Sequence, residues 1–115
     1  MGTIIFMNMK YIIAENKLDT LIDYYITQIT GGSLEMHKHP STIIDYIWWT
    51  DLNNIVVFEA DKDEEGFSLG VREDIWNSVH RMFSLSSYDT DKSFLAWMSN
   101  RTKIKFPGGV YTFEV

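Results

Sequence analysis

Two histidines two positions apart, His37 and His39, with Glu35 two positions before His37, form the most chemically suggestive spacing in the chain. On a strand, residues two apart project to the same face, so both imidazoles and the carboxylate can address one divalent ion. Two histidines and one carboxylate suit zinc or non-haem iron. Read without a metal, the same segment is an exposed polar stretch ahead of Pro40. His80 lies one helical turn beyond Trp76 and can stack on it, which is helix-surface packing rather than catalysis.

The adjacent pair Trp48-Trp49, with Tyr46 beside it, points to binding. Neighbouring strand residues face opposite sides, so only one indole can join a one-sided core. The other must be covered by a second element, a partner or water. Tryptophan buries a large area and keeps one polar handle, which is why it concentrates in interface hot spots. Arg101, Lys103 and Lys105 alternate and, on a strand, would form one positive face, suited to an acidic surface or a phosphate, or simply to the solvent side of an edge strand. Asp61, Asp63, Glu64 and Glu65 before Gly66 superficially suggest calcium, but lack the bidentate Glu at the twelfth loop position and read as a solvated acidic turn. No nucleophile elbow and no glycine-rich phosphate loop is present.

The elements that must carry these residues follow from periodicity. Residues 9–14 form a short apolar run suited to a strand. Asn16 offers an N-cap for a helix beginning near Lys17, whose stripe is Leu18, Leu21, Ile22, Tyr25, Ile26 and Ile29, and Gly31-Gly32 stops it. Residues 42–49 and 54–60 read as an antiparallel hairpin, with a short helix over 41–48 as the competitor. Residues 61–66 read as a charged loop and 67–71 as one more strand. Ile75, Trp76, Val79, Met82 and Phe83 mark a second helix. Ser87 or Asp89 caps a third, carrying Phe94, Leu95, Trp97 and Met98 and ending near Asn100. Pro107-Gly108-Gly109 turns into a last strand over residues 110–115, with Tyr111, Phe113 and Val115 on one face. The expected fold class is α+β, a small antiparallel sheet packed with about three helices in a single domain over residues 9–115. Residues 1–8 read as a tag or an alternative start, since Met1, Met7 and Met9 can each begin the chain.

Composition fits one core and one domain: 115 residues, 45% hydrophobic and 15% aromatic, with a net charge of −6. An acidic chain repels phosphate backbones and anionic membranes. Without cysteine it has no disulfides, thiol catalysis or cysteine-based zinc. No apolar run reaches the length of a membrane span. The expectation is a soluble, intracellular protein of the cytoplasm, or of the host cytoplasm if viral.

Two resemblances bear on function. Gly31 followed six residues later by His37-Lys38-His39 resembles the glycine-then-histidine-pair opening of a cupin motif, without the further Glu and later third His that cupins carry. Residues 9–18, Met-Lys-Tyr-Ile-Ile-Ala-Glu-Asn-Lys-Leu, resemble the opening of short uncharacterised proteins of marine tailed bacteriophages and related environmental viruses. That resemblance implies a viral origin and transfers no catalytic residue. The leading expectation is a small non-enzymatic protein-binding or assembly protein, phage-encoded, acting through an aromatic surface and self-associating, with no cofactor. Two alternatives stand beside it: a metal-binding domain or metal-dependent enzyme built on Glu35, His37 and His39, and an acidic nucleic-acid mimic that inhibits a host protein.

Overall fold

A computed structural model describes residues 15–39 and 45–115. The expected strand over residues 9–14 and the segment 40–44 lie outside the described residues. In chain order the elements are α1 (Glu15–Ile29), β1 (Glu35–Lys38), β2 (Tyr46–Thr50), β3 (Val56–Asp63), β4 (Gly66–Arg72), α2 (Glu73–Met82), α3 (Ser87–Thr102) and β5 (Val110–Phe113). The strands form one sheet in the order β1-β2-β3-β4-β5. The first four are an antiparallel meander, while β5 lies parallel to β4, reached through the α2–α3 crossover. The α+β architecture is as expected, with one parallel pair at its edge.

Alternation along the strands decides the core. The cross-strand row Met36, Trp49, Phe58, Val71, Thr112 and the next row Lys38, Ile47, Ala60, Leu69, Val110 share one face. Their central members bury against Ile22 and Ile26 of α1, Ile75 and Val79 of α2, and Phe94, Trp97 and Met98 of α3. Phe58 is fully enclosed, with its ring centroid 6.0 Å from that of Phe94 and 5.4 Å from that of Trp97. All three helices therefore cover the same side of the sheet.

The α1 stripe holds apart from Leu21, which lies on its margin and is exposed. Gly31 and Gly32 both take positive φ, 84° and 77°, and end the helix. Other details differ from expectation. Asn16 is already helical rather than a cap. Tyr46, Ile47 and Trp48 are strand, so the competing helix over 41–48 does not form there. Residues 61–66 are not a loop: β3 and β4 stay paired to Asp63 and Gly66, and only Glu64-Glu65 turns. Charge there marks solvent exposure, and the Asp63 carboxylate accepts the Glu65 N–H at 2.8 Å to close the turn.

Ser86, not Ser87 or Asp89, caps α3, its hydroxyl accepting the Asp89 N–H at 3.0 Å. The basic stretch is not a strand either. Arg101 and Thr102 complete α3, and Lys103 is a left-handed C-cap. Arg101 lies one turn past Trp97, so its guanidinium stacks 4.0 Å from the indole centroid and reaches Asp23 of α1 at 2.9 Å. Trp97 Nε1–H donates to Thr27 Oγ1 at 3.2 Å, which ties α3 to α1 a second time.

Candidate functional site

The sheet face turned away from the helices carries the row His37, Trp48, Glu59, Gly70, Tyr111, one residue from each strand. Tyr46, two residues before Trp48, shares that face. As expected from alternation, Trp48 and Trp49 part company: Trp49 is buried in the core and Trp48 is half-buried on the opposite side. Of the three residues expected to bind, Trp48 and Tyr46 therefore remain on this second face, the open face, which no described helix covers.

These side chains form one connected series. The His37 and Trp48 rings stack at 5.4 Å with an interplanar angle of 13°, and Trp48 and Tyr46 stack at 5.4 Å and 25°. The Tyr46 hydroxyl donates to Glu59 Oε2 at 2.7 Å, and the Tyr111 hydroxyl donates to Glu59 Oε1 at 2.6 Å. At the other end His37 Nε2 and Thr50 Oγ1 are hydrogen-bonded at 2.9 Å. Tyr111 starts on β5 and Glu59 on β3, so the phenol must cross β4. It does so over Gly70, where a Cβ would stand 2.6 Å from Glu59 Cγ and 2.7 Å from Tyr111 Cζ. Glycine here gives room for an aromatic ring lying across the backbone.

Burial, then the hydrogen bond to Glu59 and the negative charges of Glu59 and Asp61, push the Tyr46 phenol up to about 12. The same causes, in the same order, raise Tyr111 further. Both hydroxyls are therefore proton donors at neutral pH, holding the carboxylate by charge-assisted hydrogen bonds. A phenol whose folded pKa exceeds its unfolded value of 10.0 contributes stability that is complete below that pH and is lost as pH rises through the folded value. Ultraviolet titration of tyrosinate is expected to show two late-ionising phenols, with the unfolding free energy falling between about pH 10 and 12. Glu59→Gln should lower the Tyr46 pKa only in part, because burial, the largest cause, remains. Ionisation of both hydroxyls near pH 10 in the unsubstituted protein would contradict the clamp.

The other expected site residues are placed differently. Glu35 and His37 lie on β1, and His39 lies beyond its end. Among the described residues no group of three or more His, Asp or Glu side chains is arranged to hold a metal ion, whether at Glu35, His37 and His39 or along residues 61–66. His37 is instead engaged by Thr50 and Trp48. His80 does stack on Trp76, at 4.8 Å. Thr90 Oγ1 spends its proton on Ser86 O at 2.8 Å, so it accepts from His80 Nδ1 at 3.1 Å, a contact that joins α2 to α3.

Sequence reasoning missed Glu59, Gly70 and the reach of Tyr111. Two signals were there: a lone carboxylate inside the apolar run of β3, and a glycine inside a strand, which often marks close approach of another group. Fold and site together define an α+β domain whose sheet has one helix-covered face and one face bearing an aromatic and carboxylate series. Compared with protein-family models, curated proteins and solved structures, the chain matches none of them. Among the described residues, no helix is long and apolar enough to cross a membrane.

Proposed function

We propose that this chain is a non-enzymatic protein-binding domain that uses the open face of its sheet. The observation that supports the reading is the series His37, Trp48, Tyr46, Glu59, Tyr111, stacked and hydrogen-bonded on the side away from α1, α2 and α3. Such rings offer contact area while their rotamers are already restrained by one another, so little conformational freedom is lost when a partner lands on them. Within the series, Glu59 is engaged by two phenol hydrogen bonds and both phenols stay protonated at neutral pH, so these three groups serve to hold the rings in place.

Selection against a displayed random-peptide library tests this. The unsubstituted protein is expected to enrich a peptide family, and Trp48→Ala or Tyr46→Ala, each confirmed folded by thermal melting, should lose it by about tenfold or more. Met82→Ala, on the exposed surface of α2, should not. Failure to enrich any peptide, or enrichment indifferent to Trp48 and Tyr46, overturns the reading.

A further inference from the structure

The strand register sorts charge as well as hydrophobicity. Glu35, Glu59 and Asp61 project from the open face, since Glu35 alternates with His37 and Asp61 with Glu59. Lys38 and Lys62 belong to the opposite alternation, with Lys38 beside Ile47 and the Lys62 ammonium 5.7 Å from the centroid of Phe67. Arg72 is the cation that shares the open alternation, and it is held by Asp74 at 2.6 Å and lies 3.9 Å from Asp51. The aromatic series is thus flanked by carboxylates whose charge no described cation on that face balances.

A second acidic feature lies at the β5 edge, on the helix side of the sheet. A hollow of about 310 Å³ lies between β5 and the α2–α3 pair, lined by Glu73, Trp76, Asn77, Asp91 and Tyr111 together with Val110 and Thr112, and no cation lines it. Trp76 Nε1–H donates to Asp91 at 2.8 Å, which fixes the indole in the wall. The hollow is large enough for one long side chain.

We infer that the occupant of the open face is a cationic segment of a partner protein, whose Arg or Lys side chains lie against the rings of Trp48, Tyr46 and Tyr111 and beside Glu59, Asp61 and Glu35. This rests on the protein-binding reading above and names its partner by charge. Aromatic rings attract cations through their π-systems, and carboxylates alongside add complementary charge. Two other occupants fit the rings but not the charge. Nucleic-acid bases would stack equally well, yet their phosphates would meet three carboxylates on a chain of net charge −6. A second copy placed face to face would gather the carboxylates of both copies into one interface with no unpaired cation from the described face between them.

The test uses fluorescence anisotropy with three labelled probes: a short Arg-Gly repeat peptide, its Glu-Gly counterpart and single-stranded oligouridine. The Arg-Gly peptide is expected to bind, and to weaken about tenfold or more when salt rises from about 0.05 to about 0.5 M. Glu59→Gln should weaken it about tenfold, and Asp61→Asn, which leaves both tyrosine hydrogen bonds in place, about threefold. Asp19→Asn on α1, the same charge change away from the face, should leave it unaltered. Equal weakening by Asp19→Asn overturns the inference. So does preference for oligouridine, a library family not enriched in Arg or Lys, or a light-scattering dimer dissolved by Trp48→Ala. The last two outcomes leave the protein-binding reading standing, whereas the absence of any enriched peptide removes both.

Discussion

Phe58→Ala is expected to destabilise the domain by about 3–5 kcal/mol, the range for truncating a fully buried phenylalanine. Phe58 is 0% exposed at the centre of β3, where its ring meets Phe94 and Trp97 of α3. Trp97 is itself tied by hydrogen bonding to α1 and by stacking to Arg101, and β3 is fixed by pairing on both sides. Neither wall can move in without loosening those contacts, so the cavity should persist rather than collapse. Against a total stability of about 5–15 kcal/mol for a domain of this kind, the loss is a large fraction. Urea denaturation followed by tryptophan fluorescence measures it. A loss under about 1 kcal/mol would mean that the sheet and α3 are not packed through this residue.

Gly70 gives the second large effect, and its sign is the informative part. By propensity alone, replacing a strand glycine with alanine should stabilise, because the unfolded chain loses freedom and strand formation improves. The geometry opposes this: the added Cβ falls 2.6 Å from Glu59 Cγ, 2.7 Å from Tyr111 Cζ and 2.8 Å from its hydroxyl. Those atoms belong to two side chains held in place by each other, so neither can yield without breaking the clamp. Gly70→Ala is therefore expected to cost about 1–3 kcal/mol, the usual range for overpacking. Its effect should also be strongly non-additive with Tyr111→Ala, which removes part of the obstruction. Thermal or urea unfolding of the two single variants and the double variant decides it. A neutral or stabilising Gly70→Ala would show that Tyr111 does not lie across β4.

The features that were legible from sequence are those set by local period. The α1 stripe apart from Leu21, its two-glycine stop, the α2 face apart from the exposed Met82, the α3 face, and the opposite destinations of Trp48 and Trp49 follow from 3.6-residue or two-residue alternation. The errors arise where composition was read as conformation. Asp61 to Gly66 is charged because the hairpin end meets water, and a paired strand meets water as readily as a loop does. Arg101 to Lys105 alternates like a strand, but Arg101 belongs to a helix that runs on because its side chain can reach back to Trp97 and Asp23. The parallel setting of β5 depends on where the α2–α3 crossover returns the chain, which no short window contains. The site was half legible for the same reason. Tyr46 and Trp48 are two residues apart, whereas Tyr111 and Glu59 meet across 52 positions of sequence.

The single parallel pairing also bears on the expected order of assembly. Each antiparallel pair joins strands linked by a short connection, whereas β5 reaches β4 only after both α2 and α3 have intervened. Closing that long crossover carries the largest loop entropy in the sheet, and such non-local pairing is slow. Tyr111 is therefore expected to arrive on a sheet that already carries Trp48, Tyr46 and Glu59, and amides of Val110–Phe113 should gain exchange protection after those of β2 and β3. Until then Glu59 is free to swing away from one partner and Gly70 is bare backbone. The face is thus expected to be completed by the most non-local pairing in the sheet, so its integrity reports on the docking of β5 and not only on the meander that carries most of its residues.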